Sequence, residues 1–326
     1  MAGPFDAGVV ATDFAAVEND LRQYAAMDGF DGFEAAGHIV GGTRVFARTG
    51  GRADAPALLL LHGFPQTHVM WRRVAQRLAP HFRLVLPDLR GYGESDKPPG
   101  GEDHAEYSKR AMAADMAWLM RSLGHERYFV AGHDRGARVA HRLALDHAGA
   151  VQRLALIDIA PTLDMYERTD QAFATAYYHW FHLIQPHPLP ERMIGGNARF
   201  YLHWKLGGWG SEGIAHVEPQ ALGDYERCFC TPQAIHAACE DYRASAGIDL
   251  VHDRASRAAG ERIACDTLVM WGARGVVHRL FDPVALWQAQ CSARVEAKLC
   301  EGAGHFIPEE QPEATADTLR AFFERA

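Results

Sequence analysis

A chain of 326 residues that is 48% hydrophobic is long enough for one large core and permits a second, smaller unit. Its formal net charge of -8, with 23% charged residues, gives no whole-chain attraction to nucleic acid or to an anionic membrane. No apolar run approaches the length of a membrane span, and residues 1–20 lack a basic segment followed by an apolar stretch, so the cytoplasm is the expected compartment.

Residues 1–29 read as an N-terminal extension, in which apolar positions scattered among Asp13, Glu18, Asp20 and Arg22 fit a short amphipathic helix over Phe14 to Met27. From Ala57 the pattern becomes an alternation of short apolar runs and helical stretches. Leu58 to Leu61 is a continuous apolar run that stops at His62-Gly63, as expected of a strand buried on both faces. A helix is predicted over Val69 to Leu78, a strand over Phe82 to Leu86, and a helix over Lys109 to Leu123. A strand follows at Arg127 to Val130, a helix at Arg135 to Leu145 and a strand at Val151 to Ile157. The loop Gly91-Tyr92-Gly93 lacks a full phosphate-binding fingerprint and reads as a turn.

The alternation breaks over residues 164–250, which are rich in aromatics and histidine at helical spacing. It resumes with a strand at Thr267 to Trp271, a helix at Pro283 to Gln290, a strand at Val295 to Leu299 and a helix at Pro312 to Phe323. The expected architecture is a mostly parallel sheet flanked by helices, residues 30–163 and 251–326, with a helical cap inserted at 164–250. Such a cap shields a site at the carboxyl ends of the strands.

Six cysteines, Cys228, Cys230, Cys239, Cys265, Cys291 and Cys300, have no CxxC spacing and read as free thiols of a reducing compartment. Cys228 and Cys230 have no second ligand pair at finger spacing. His179 and His182 have no HExxH or acidic ligand set beside them. Neither pair is read as a metal site, and no cofactor is expected.

Gly132-His133-Asp134-Arg135-Gly136 sits between a predicted strand and a helix. It matches the G-x-S-x-G nucleophile elbow, with Asp in the serine position. Gly304-His305-Phe306 follows the last strand, where the base of such a site belongs. The usual acid position after Trp271-Gly272 holds no carboxylate until Asp282, whereas Asp158 ends an otherwise apolar strand and needs a partner for its charge. Asp158 is therefore assigned to orient His305. His62-Gly63-Phe64-Pro65 follows the first buried strand, so the backbone N–H groups of Phe64 and Arg135 are expected to form an oxyanion hole.

A carboxylate nucleophile attacks saturated carbon and leaves an alkyl ester, which histidine-activated water then hydrolyses. That chemistry points to a carbon–halogen bond or an epoxide. Arg135 and Arg138, one helical turn apart, stand beside the nucleophile and suit a substrate that carries its own carboxylate.

Five segments carry a more specific likeness: His62 to His68, Gly132 to Arg142, Tyr178-His179-Trp180, Cys239 to Arg243, and Gly304 to Glu310. On these, residues from about 30 to 323 resemble the fluoroacetate dehalogenases, a haloacetate-hydrolysing branch of the α/β-hydrolases. The resemblance implies that Asp134 attacks, His305 activates water and Arg135 and Arg138 hold the haloacetate carboxylate. It implies that His179, Trp180 and Tyr242 bind the departing halide, that Lys205 and Trp209 stand at the substrate pocket, and that the protein is a homodimer. An epoxide hydrolase remains the alternative, with Tyr242 and one of Tyr177, Tyr178 or Tyr201 protonating the epoxide oxygen; a haloalkane dehalogenase of the same fold also remains. A non-catalytic binding protein would predict damage to Asp134, Asp158 or His305, and all are intact.

Overall fold

The computed structural model describes residues 29–325. The helix expected over Phe14 to Met27 lies outside that range. Eight strands form one sheet: β1 (Glu34–Val40), β2 (Thr43–Gly51), β3 (Ala57–Leu61), β4 (Arg83–Pro87), β5 (Tyr128–His133), β6 (Val151–Ile157), β7 (Asp266–Gly272) and β8 (Val295–Cys300). Their order is β1-β2-β4-β3-β5-β6-β7-β8. β1, β2 and β4 pair antiparallel, and every pairing from β4 to β8 is parallel.

The apolar runs of the sequence become the inner strands. All of β3 is buried, because helices cover both faces of a parallel sheet. The β1–β2 hairpin was not predicted. β1 is an edge strand with mostly exposed side chains and therefore no apolar run to betray it. Its turn was legible, since Gly41 and Gly42 separate the paired Val40 and Thr43 and both have positive φ, 55° and 88°.

On the sheet lie α1 (Arg72–Leu78), α2 (Lys109–Ser122) and α3 (Arg135–Asp146). The helix predicted from Val69 begins instead as a 3-10 turn, His68–Trp71, capped by the Thr67 hydroxyl, and becomes α1 at Arg72. Between β6 and β7 the chain forms eight helices: α4 (Thr162–Glu167), α5 (Gln171–Ala176), α6 (His179–His182), α7 (Leu189–Gly195), α8 (Ala198–Leu206), α9 (Pro219–Phe229), α10 (Pro232–Ala246) and α11 (Ile248–Ala258). Between β7 and β8 lie α12 (Val276–Leu280) and α13 (Pro283–Gln290), and after β8 come α14 (Ile307–Glu310) and α15 (Pro312–Phe323). No helix among the described residues is long and apolar enough to cross a membrane. All six cysteines are free.

Strand register decides where the site forms. His133 at the end of β5 pairs with Ile157 at the end of β6, which pairs with Met270 in β7. The residues just beyond, Asp134 and Asp158, are thereby brought side by side at the carboxyl edge, the side on which open α/β sheets bind ligands.

Candidate active site

Asp134 occupies the turn from β5 to α3 at φ 48° and ψ -114°, outside the regions favoured by side-chain-bearing residues. Small neighbours make room for the turn. A Cβ on Gly136 would lie 2.4 Å from the His62 carbonyl oxygen, and one on Gly63 would lie 2.6 Å from Asp134 Cβ. The turn aims the carboxylate out of the sheet. The Phe64 N–H donates to Asp134 Oδ1 at 3.0 Å, while Oδ2 stands 3.8 Å from His305 Nε2. That nitrogen is buried and has no hydrogen-bond partner.

His305 Nδ1 lies 2.6 Å from Asp158 Oδ2, and the Gly272 N–H donates to Asp158 Oδ1 at 3.1 Å. Both oxygens of Asp158 are thus engaged, and the residue itself has a positive φ of 51°. Asp282, the other carboxylate considered, caps the N-terminus of α13 by accepting from the Ala285 N–H at 3.0 Å.

Burial by itself would raise the pKa of Asp134, but His305, His133, Arg138 and Arg135 outweigh it and hold the group below its ordinary value. Burial acts against protonation of His305 too. There the hydrogen bond and charge of Asp158, with Asp134 beyond, win and raise its pKa. His133 is driven the other way, to about 3, by burial and by His305.

The two arginines are both buried but differently partnered. Arg135 is gripped by Asp241: Nε donates to Oδ2 at 2.9 Å and Nη2 to Oδ1 at 2.7 Å. Nη2 also reaches the Asp241 carbonyl and the Ser245 hydroxyl, each at 3.0 Å. Lys109 and the Tyr92 hydroxyl complete the shell around Asp241. Arg138 instead bonds neutral acceptors alone, the Ala160 carbonyl, the Thr162 hydroxyl and the Met165 sulfur. One buried nitrogen of each arginine, Arg135 Nη1 and Arg138 Nε, is thus left without a hydrogen-bond partner among the described residues. Asp241, in a segment that the sequence reading singled out only for its likeness, sets this geometry.

The aromatic residues close over the arginines. The Arg135 guanidinium sits 4.2 Å from the Tyr242 ring centre and that of Arg138 sits 4.7 Å from Trp180. His179 stacks on Phe64 at 6.0 Å, packs against Tyr242 at 5.4 Å and has an unpartnered Nδ1. Burial, with Lys205, His305 and both arginines nearby, pushes the His179 pKa well below its ordinary value, so the ring is neutral. Tyr177, from the same stretch, joins the cluster 5.3 Å from His179. The structure thus gathers His179, Trp180 and Tyr242 around Phe64 and the two arginines.

Trp209 has a positive φ of 57° and lays its ring 5.1 Å from that of His305 and 4.6 Å from that of His179. Its other side lines a groove of about 590 Å³ shared with Tyr178, Phe200, Trp204, Lys205 and Ile214. The Lys205 ammonium lies 3.6 Å from the Tyr178 ring centre, and burial lowers its pKa to about 7.

A family model for the alpha/beta hydrolase fold matches residues 56–312. The chain is 44% identical over 297 residues to a fluoroacetate dehalogenase of Burkholderia sp, covering 91% of this chain and 96% of that one. It is 32% identical over 272 residues to a soluble epoxide hydrolase of Corynebacterium sp. (strain C12), covering 82% and 89%. In structure it is similar to ALR0039 from Nostoc sp PCC 7120, an α/β hydrolase by its description, with a TM-score of 0.88, 48% identity and coverage of 91% and 100%. The chain belongs to the α/β-hydrolase family and, within it, to the haloacetate dehalogenase branch, hydrolases acting on carbon–halide bonds.

Proposed function

We propose that the protein hydrolyses haloacetates, converting fluoroacetate and its heavier-halogen analogues to glycolate and halide. The observation that carries this reading is Arg138. It is a buried guanidinium beside Asp134 whose partners are all neutral. Among the described residues no carboxylate hydrogen-bonds this buried guanidinium, and Asp134 offsets its charge only through space; a substrate carboxylate would add a direct ion pair. Arg135 Nη1 offers the second hydrogen bond.

In the proposed reaction the substrate carboxylate rests between Arg135 and Arg138, which offset its repulsion from Asp134. Asp134 Oδ2 attacks the halogen-bearing carbon, and the carbon–halogen bond breaks as the carbon–oxygen bond forms. The halide leaves toward the N–H groups of His179 and Trp180 and the O–H of Tyr242, which bond the charge as it develops. His305 Nε2 then takes a proton from water, oriented by Asp158, and the hydroxide adds to the ester carbon of Asp134. The negative charge rests on Oδ1, which the N–H groups of Phe64 and Arg135 stabilise. Collapse, with the proton on His305 passing to the departing oxygen, releases glycolate and restores the Asp134 carboxylate. The helical segment 164–250 acts as the cap over this site, with Lys205 and Trp209 at its outer wall. A cytoplasmic homodimer is part of the same reading.

A second reading, epoxide hydrolysis, has one observation in its favour. The hydroxyls of Tyr177 and Tyr242 both feel the Asp134 charge, which, after burial, is among the causes raising their pKa values. Ion-selective measurement of halide from fluoroacetate, chloroacetate and a 2-halopropionate, beside an epoxide-opening assay, separates the two. Halide release without epoxide opening is expected. Epoxide opening without halide release would overturn the proposal.

A further inference from the structure

We propose that His187, Glu191 and His236 form a binding site for a divalent transition-metal ion, Zn²⁺ by ligand class, on the outer part of the helical insert. The idea does not depend on the dehalogenase reading. His187 immediately precedes α7, Glu191 lies in its first turn, and His236 projects from α10. One ring nitrogen of each histidine and one carboxylate oxygen of Glu191 lie within 4.8 Å of one another. Glu191 Oε1 is 3.0 Å from His236 Nδ1 and 3.3 Å from His187 Nδ1. A tetrahedral ion with bonds of roughly 2.0–2.1 Å holds its ligands about 3.3 Å apart, so the three atoms already stand near coordination spacing. Two imidazoles and one carboxylate are a ligand set that zinc accepts, with water in the fourth place.

Two further observations point to a cation. His236 Nε2 lies 2.9 Å from the Pro99 carbonyl oxygen. A carbonyl only accepts, so Nε2 carries the hydrogen and Nδ1 is the nitrogen left to face Glu191. That Nδ1 is either the second N–H of an imidazolium or a lone pair aimed at a carboxylate, and a metal ion satisfies the second case. A backbone carbonyl behind the ring is also the usual support for a metal-bound histidine. Glu191, moreover, is served on one side alone: Oε1 accepts from Arg243 Nη1 at 2.8 Å, while the buried Oε2 has no hydrogen-bond partner. The charge of Arg243 is shared with Glu240, also 2.8 Å from Nη1, and its remaining nitrogens bond the Gln185 carbonyl. His187 is 65% exposed and gives the ion a path from solvent.

An ion held here ties α7 to α10, the helix that carries Asp241 and Tyr242, and through Pro99 to the segment before α2. The test is titration of the chelator-treated full chain with ZnCl₂ by calorimetry and with Co²⁺ by visible absorption. One ion per chain is expected, with the d–d bands of a tetrahedral nitrogen–oxygen site and no thiolate band, and with a rise in Tm on adding Zn²⁺. His187→Ala, Glu191→Gln and His236→Ala are each expected to weaken binding by about tenfold or more. The exposed position of His187 keeps its variant informative if the others fail to fold. Equal affinity in wild type and His187→Ala, no saturable binding, or a thiolate-to-cobalt band would overturn the proposal. Halide release is not the readout, so failure of the dehalogenase reading leaves this result standing.

Discussion

Asp241 holds Arg135 through both carboxylate oxygens, at 2.9 and 2.7 Å, while one guanidinium nitrogen, Nη1, has no hydrogen-bond partner among the described residues. The arginine is positioned before any substrate arrives. Replacing Asp241 by Asn removes the counter-charge of Arg135 and the nearer of two carboxylates beside Lys109, which keeps Asp249 at 3.7 Å. Breaking a buried pair of this kind costs about 3–5 kcal/mol. Thermal or denaturant unfolding of Asp241→Asn should show a loss of that size, and the variant that remains folded should have a raised KM for chloroacetate. Unchanged stability and KM would remove Asp241 from the positioning role.

Charge on the substrate is the next test. Haloacetates should be turned over and the matching haloacetamides should not, because the amide brings no counter-ion to Arg138. Arg135→Lys and Arg138→Lys should each lower kcat/KM for chloroacetate by about tenfold or more, since a flexible ammonium does not reproduce a planar, pre-aimed N–H. Equal turnover of chloroacetate and chloroacetamide by wild type would remove the carboxylate grip and favour the epoxide reading.

The two-step chemistry predicts a trapped ester. His305→Ala retains Asp134 but lacks the base, so intact mass after chloroacetate should rise by one carboxymethyl group, and peptide mapping should place it on Asp134. Asp158→Asn should slow ester hydrolysis by as much as about 10⁴-fold, because His305 loses its orienting charge. Asp282→Asn should be close to silent, since Asn also caps a helix. Loss of activity in Asp282→Asn with a sound Asp158→Asn would reverse the assignment.

His305 must be neutral to take the proton from water. Its pKa is raised above the ordinary 6.5, against burial, chiefly by Asp158. Activity should therefore be lost as pH falls through that raised value, and the loss should be complete on the acid side. Once the ester forms, Asp134 is uncharged, and Asp158, with a smaller part from Glu310, is left to sustain the shift. The acid limb of single-turnover hydrolysis should thus lie below that of the free enzyme, and Asp158→Asn should move it lower still. An acid limb unmoved by Asp158→Asn would break the link.

Lys205 titrates at about 7 because it is buried. As pH rises through that value the groove loses its cation, and attraction of an anionic substrate should weaken. KM for chloroacetate should rise between pH 6 and 8 in wild type and stay flat in Lys205→Met, with kcat changing less (a charge effect on entry, on the order of a few-fold). A parallel KM profile in the two proteins would leave Lys205 without a part in substrate capture.

The sequence made the inner sheet and the grouping of Asp134, Asp158 and His305 legible for one reason: both rest on local signals. β3 is a run of apolar residues, the elbow is a tight turn that needs glycine, and Asp158 is a lone charge at the end of an apolar strand. Asp158 and His305 lie 2.6 Å apart because β6 and the last strands have a fixed register, which the chain order implied. The edge hairpin was missed because exposed strands carry no apolar run. Asp241 was missed in its role because a carboxylate inside a helix looks the same whether it faces solvent or grips an arginine across the fold. His187 and His236 were equally silent, since one lies before α7 and the other within α10, and they meet only after these segments have packed.

The Phe64 N–H pins one oxygen of Asp134 and leaves the other toward His305. The two oxygens are therefore not interchangeable during a turnover. In the proposed reaction the free one bonds to the substrate carbon, and when water adds to the ester that same oxygen departs as the hydroxyl of the product. A single turnover in ¹⁸O-labelled water should then yield unlabelled glycolate and a protein heavier by one isotope. The solvent atom would appear in the product only from the second cycle on, so that each molecule of glycolate carries an atom that belonged to the polypeptide at the start of its own cycle.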